Sequence, residues 1–277
     1  WENILDPAKD MWLEDHKVGS ITVLAGAAFT EMALAAAQRV YGTDHVLVED
    51  MQIIAPLAFE GAQCVRLSVD DTCGNFRIMS RPRLGEGAWV EHVRGRVLQG
   101  SAKSFSAYDF SGNPDSWKKV SGNELYAITS GLGLDYGPSF RLVQSLRCDL
   151  SSGRLEADTT PVSLGSDGYL LPPQALDACF HALAALYANT ESADEAAYLP
   201  VGLDRLEVLT DVGDVKRKIT HFAARIVHKS RRSLAADFVL CDRDGTILVW
   251  ATACRFRAAP SLRSAEQEPS FWTVEPV

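Results

Sequence analysis

Apolar residues recur at helical spacing in two stretches of this chain and alternate with polar ones through much of the rest. Between Gly26 and Val40, the residues Phe29, Met32, Ala33, Ala36 and Val40 fall on one stripe. That predicts a helix whose small, narrow apolar face suits a sheet wrapped closely around it. Gln174 to Ala188 predicts a second helix, with Leu176, Cys179, Phe180, Leu183 and Tyr187 on one face. Around the first helix the pattern shortens to strands at Ile21–Leu24, Met51–Ile54, Cys64–Val69, Phe76–Met79 and Trp89–Leu98, punctuated by Gly and Asp clusters. Around the second, Leu146–Ala157 is strand-like and 199–258 returns to strands. The last two, Leu234–Leu240 and Thr246–Trp250, are joined by Arg243-Asp244-Gly245, a hairpin signal. One helix plus an antiparallel sheet therefore occurs twice, which predicts an α+β chain in two units, 1–100 and 121–277. Between them, 101–120 loses periodicity and fills with turn formers, so it is the expected linker. The halves share an order of elements rather than a sequence repeat. Thr190 to Ala197 reads as a solvated acidic loop, and 260–277 as a tail rich in charge.

Composition narrows the function classes. With 277 residues, 47% apolar and 23% charged, the chain can bury a sizeable core. Lys plus Arg number 27 against 36 Asp plus Glu, a net charge of −9 with no basic run, so nucleic acid is not an expected partner. The apolar runs within 21–37 and 175–188 are interrupted by polar residues and fall short of the ~20 needed for a membrane span. The N-terminal Trp1-Glu-Asn-Ile-Leu-Asp-Pro7 lacks the regions of a signal peptide and reads as part of a longer cytoplasmic polypeptide. Six scattered cysteines show no metal-ligand spacing, so buried or partly buried thiols and no metal are expected.

Two places carry candidate chemistry. His16 follows Trp12-Leu-Glu-Asp15 ahead of the first helix, and Asp177 and His181 stand four residues apart in the second. By themselves, Asp15-His16 is an ordinary surface or capping pair and Asp177/His181 an ordinary i, i+4 pair. His92, between Trp89 and Val93 on a strand, reads as structural, and His45, His221 and His228 carry no signal.

Five strings taken together change that reading: Asp15-His16-Lys-Val-Gly-Ser-Ile-Thr-Val-Leu-Ala-Gly26 with Ala27 to Leu34, Trp89-Val-Glu-His92 with Gly95, Tyr136-Gly137-Pro138-Ser-Phe140, Leu176-Asp177-Ala-Cys-Phe-His181, and Leu199-Pro200-Val-Gly202. In this order the chain resembles the dehydratase domain of modular polyketide synthases over almost its whole length. The resemblance implies a double hotdog fold, two helix-in-sheet units side by side. It implies dehydration of a β-hydroxyacyl chain to an α,β-enoyl thioester, with no bound cofactor and the substrate carried on the phosphopantetheine of an acyl carrier protein. Partners would be that carrier, neighbouring synthase domains and a second copy in a homodimer. A base for the α-proton and an acid for the departing hydroxyl are required. His16 would be the base. Asp177, expected at the start of its helix in an apolar setting that keeps it protonated, would be the acid. His181 would orient that acid, Gly26 would offer its amide to the thioester oxygen, and Tyr136, Gly137 and Pro138 would line the cavity, with the Tyr136 hydroxyl near the acid. Leu199 and Pro200 would form its far wall. The alternatives are a variant that also migrates the double bond or closes a ring by oxa-Michael addition, a silent dimerising domain, and a hotdog thioesterase.

Two positions depart from the family's first motif, H-x-x-x-G-x-x-x-x-P: Ser20 stands where Gly is expected, with Gly19 one residue early, and Ala25 replaces Pro. The first would cost about 1 kcal/mol or more if position 20 needs positive φ. The second removes a stiffener ahead of the helix.

Overall fold

The structure, a computed structural model, describes residues 1–84, 87–100, 116–162, 168–188, 196–209 and 219–259. The chain opens with strand β1 (Glu2–Leu5), a 3-10 turn over Met11–Asp15, and the short strands β2 (His16–Val18) and β3 (Ile21–Thr22). Helix α1 (Gly26–Tyr41) comes after them, then β4 (Val46–Ile53), β5 (Gln63–Val69), β6 (Asn75–Pro82) and β7 (Val90–Gln99). The second half begins with β8 (Lys118–Ser121), α2 (Gly122–Gly131), β9 (Leu134–Tyr136), β10 (Val143–Asp149) and β11 (Arg154–Thr159). Helices α3 (Pro173–Ala182) and α4 (Ala184–Tyr187) come next, and β12 (Ala197–Val208), β13 (His221–Lys229), β14 (Ser233–Cys241) and β15 (Ile247–Ala259) complete it.

Among the described residues twelve strands form one antiparallel sheet in the order β1-β5-β6-β7-β4-β12-β15-β14-β13-β11-β10-β8. The first five belong to the first half and wrap α1, whose buried Ala27, Ala28, Ala33, Ala36 and Ala37 let the strands come close. The remaining seven curve around α3. This is the expected double hotdog. The seam is the β4–β12 pair, in register from Gly202 opposite Gln52 to Glu207 opposite Leu47. One continuous apolar core runs through both halves. Across the seam the Glu49 carboxylate holds Arg205 at 2.5 Å, and within its own half it holds Arg96 at 2.7 Å.

Several elements differ from the sequence reading. The second helix is two, because at Leu183 the bonding tightens to i→i−3, with Leu183 N–H to Phe180 O and Leu186 N–H to Leu183 O. Helix α2 was not expected, although Ser121 and Glu124 form a complete capping box at its start. The last residues of the expected linker, 118–120, lie in edge strand β8 with Val120 buried. The rest of that linker up to 115, acidic-loop residues 190–195 and the tail 260–277 lie outside the described residues. Of the cysteines, Cys148, Cys179, Cys241 and Cys254 are buried and Cys64 half-buried, but Cys73 is exposed.

A second sheet, β3-β2-β9, is small but joins the halves at the site. It pairs His16 with Tyr136 and Val18 with Leu134. The β2–β3 turn resolves the first departure: Gly19 takes φ 62° and Ser20 is not left-handed, so the Gly has moved by one residue together with the strain. Ala25, at the helix boundary, has φ −55°, a value that Pro also adopts.

Candidate active site

His16 is the first residue of β2 and is buried, as is Asp177. Its Nδ1 lies 2.8 Å from the carbonyl oxygen of Val23. A carbonyl can only accept, so Nδ1 carries the proton and Nε2 is a bare lone pair. That nitrogen faces Asp177 Oδ2 at 3.6 Å. Burial lowers the His16 pKa below 6.5; the Asp177 carboxylate opposes this without reversing it. The imidazole is thus neutral and basic near pH 7.

Asp177 does not begin its helix: α3 starts at Pro173, and Asp177 sits one turn inside. The Pro-Pro pair at 172–173 sets that start, since fixed φ and absent N–H suit the first helical position. On the same helix face His181 Nε2 meets Asp177 Oδ2 at 2.6 Å. Burial works to raise the Asp177 carboxyl, but the hydrogen-bonded His181 and the facing His16 outweigh it and hold the group below the usual carboxylate range. This corrects the expectation of a neutral acid. The apolar surroundings are present, yet two imidazoles converge on the same oxygen. His181 therefore donates from Nε2. Among the described residues its buried Nδ1 has no hydrogen-bond partner, so the Nε2–H tautomer leaves only a lone pair unsatisfied there.

Aromatic rings enclose this pair. Tyr136 stacks on His181 with centroids 3.6 Å apart, and Phe140 lies 5.2 Å from His16. Burial first, and then the Asp177 charge, raise the Tyr136 phenol. Tyr126, from α2, packs edge-on to His181, and its hydroxyl donates to Phe140 O and accepts from Val143 N–H. Burial pushes its phenol up to about 12.

These residues open on a cavity of about 60 Å³, lined by His16, Gly26, Tyr136, Asp177, His181, Leu199 and Pro200 among others. Two expected residues are absent from that lining. Gly137 and Pro138 turn the chain away instead, and Gly137 is required because the Asp15 carboxylate occupies the place of a side chain. Gly137 N–H donates to Asp15 O at 2.7 Å, and Ser139 N–H to Asp15 Oδ2 at 2.8 Å. Gly26 packs tightly too, since a methyl there would meet Pro200 Cγ at 2.9 Å. Pro200 is tolerated in a central strand because β12 bulges between it and Gly202.

The sequence reading missed several lining residues. Thr129 sits on α2, whose capping box was the available signal, while Tyr187 and Tyr198 pack at 4.8 Å across α4 and β12 with no local signature. His92 is structural as read, held by Ser80 Oγ at 2.7 Å. Among the described residues no group of three His, Cys, Asp or Glu could hold a metal ion, and no helix is long and apolar enough to cross a membrane.

Comparisons with known proteins give the family and the fold. The family described as "Polyketide synthase dehydratase N-terminal domain" matches residues 113–266, and that described as "Polyketide synthase dehydratase domain" matches 1–81. A mycocerosic acid synthase-like polyketide synthase of Mycolicibacterium smegmatis is 28% identical over 278 residues, covering 96% of this chain but 13% of that protein. The dehydratase domain of a mycocerosic acid synthase-like polyketide synthase superposes with a TM-score of 0.80 at 25% identity, over 95% of this chain and 92% of that one. A trans-AT dehydratase domain from Brevibacillus brevis shares the fold, with a TM-score of 0.79 at 24% identity, covering 93% of each chain. The match to family descriptions across both halves, with a histidine and an aspartate facing each other between them, places the chain: it belongs to the dehydratase domains of polyketide synthases.

Proposed function

We propose that His16 and Asp177 eliminate water from a β-hydroxyacyl thioester delivered on the phosphopantetheine arm of an acyl carrier protein, leaving an α,β-enoyl thioester. The observation that carries this reading is a bare imidazole nitrogen opposed to a carboxylate oxygen at 3.6 Å inside an apolar cavity. Nδ1 of His16 is committed to Val23 O, so Nε2 takes the α-proton. Hydroxide leaves poorly unless protonated. With Asp177 resting as a carboxylate, it accepts a hydrogen bond from the β-hydroxyl, and the proton collected by His16 passes through it to the departing oxygen. One proton leaves Cα, one hydroxide leaves Cβ, and the site returns to its starting protonation as water departs. His181 holds Oδ2 in place through its 2.6 Å bond. Negative charge building on the thioester oxygen would meet the N-terminus of α1, where Gly26 lines the cavity and its amide would donate to that oxygen.

Incubation with a β-hydroxyacyl thioester gives a product lighter by one water; a free acid would point instead to hydrolysis. His16→Ala and Asp177→Asn each abolish turnover while the fold melts normally. An Asp177→Asn protein that still turns over overthrows the assignment.

A further inference from the structure

We infer that Glu31 is a positioning residue: its carboxylate clamps the segment leading into α3 onto α1, and so sets the separation between His16 and Asp177. This rests on the roles proposed for those two residues. Glu31 lies on α1, buried to 4% exposure. A buried carboxylate is costly unless every lone pair is used. Here Oε1 accepts the Leu170 N–H and Oε2 the Leu171 N–H, both at 2.7 Å, across 139 and 140 residues of sequence. Such charge-assisted bonds are short and directional.

The residues after Leu171 make the contact more than local. Pro172 and Pro173 come next with fixed φ, α3 starts at Pro173 with no side-chain cap, and Asp177 is one turn further. Among the described residues no side chain caps the start of α3, and the Glu31 grip lies two residues upstream, from the other half of the fold. On the other side, α1 comes directly after β2 and β3, and β2 carries His16. A short, stiff path therefore runs from one reacting side chain to the other through the Glu31 carboxylate. An error of about 1 Å in such a path can cost on the order of 100-fold in rate.

The test is Glu31→Gln, which keeps the shape but leaves one acceptor oxygen and turns an NH₂ toward a backbone N–H. We expect kcat to fall about 10- to 100-fold with KM little changed, and the Leu170 and Leu171 amides to exchange faster with solvent. A third readout separates positioning from mere structural support. The groups facing His16 are Asp177, His181 and Tyr136, and the Asp177 charge is what supports its pKa. Withdrawal of Asp177 moves the acid limb of kcat/KM to lower pH, whereas a reduced folded fraction leaves that limb in place. Wild-type kcat, or a reduced kcat with an unmoved limb, overturns the clamp. Asp177→Asn run alongside keeps the two readings apart: its inactivity beside a fully active Glu31→Gln sinks the clamp alone, and its activity sinks the site assignment. Should Glu31→Gln not fold, Glu31→Asp, which keeps both acceptors on a shorter reach, is read in the same way.

Discussion

Gly137→Ala tests whether the two halves are held together at the site by the contact between Asp15 and the turn after Tyr136. A methyl on Gly137 would fall within the Asp15 carboxylate and 2.8 Å from Asp15 Cβ. Rotation of the Asp15 side chain relieves the first clash but not the second, because Cβ is fixed to the backbone. The strands must therefore part. Overpacking of this kind costs about 1–3 kcal/mol. Losing the 2.8 Å bond from Ser139 N–H to the carboxylate adds about 1.5–3 kcal/mol. Since one movement relieves part of both, about 3 kcal/mol is expected. For a chain of this size that is a fall in Tm of roughly 6–12 °C. The activity loss should be larger than stability implies, because β2 and β9 pair His16 directly with Tyr136.

The assay is calorimetry with turnover of a β-hydroxyacyl thioester, on a double-mutant cycle with Asp15→Ala. Removing the carboxylate takes away the nearest obstruction and leaves only Cβ. The cost of Gly137→Ala should then shrink by about 1–2 kcal/mol. Strictly additive costs, or a Gly137→Ala protein with unchanged Tm and kcat, would refute the contact.

Ala25→Pro should stabilise by about 0.4–1 kcal/mol, since φ is already −55° and no hydrogen bond from the Ala25 N–H is found among the described residues; a lower Tm counts against it. Ser20→Gly should destabilise by roughly 0.5–1 kcal/mol, because Gly19 already supplies the positive φ and a second Gly only frees the unfolded chain. The His16 imidazole should titrate below 6.5 by NMR, and lower still in Asp177→Asn, where the charge that supports it is gone; a rise would reverse the stated electrostatics. Because the folded pKa is lowered, the unfolded chain binds the proton first as pH falls. The stability contribution of His16 is thus full above 6.5 and lost as pH falls through the folded value, a slope that His16→Ala should lack.

The elements set by periodicity were legible: α1 begins at Gly26 as read, and the β14–β15 hairpin closes at Asp242 to Thr246 around Gly245. Strands and helices of this kind are fixed by neighbours in sequence. The break at Leu183 was not visible, because the apolar stripe continues through it and only the backbone bonding changes. Nor was β9, three residues long, whose stability comes from pairing with β2 rather than from any pattern of its own. Helix α2 did have a local signal in Ser121-x-x-Glu124, and a closer reading of helix starts would have found it.

The protonation of Asp177 failed for a different reason. An apolar setting raises a carboxyl, and that inference from its helix neighbours was sound as far as it went. But His16 arrives from another half of the chain and His181 folds back to hydrogen-bond the same oxygen, and together they outweigh burial. The site is built by contacts that cross between halves: β2 on β9, Asp15 on the Gly137 turn, Glu31 on the Leu170–Leu171 amides. Each half alone carries a histidine or an aspartate of no special character. It is the closure of these cross-half bonds that brings a lone pair and a carboxylate to 3.6 Å. Changes that loosen any one of them should therefore cost rate before they cost the fold.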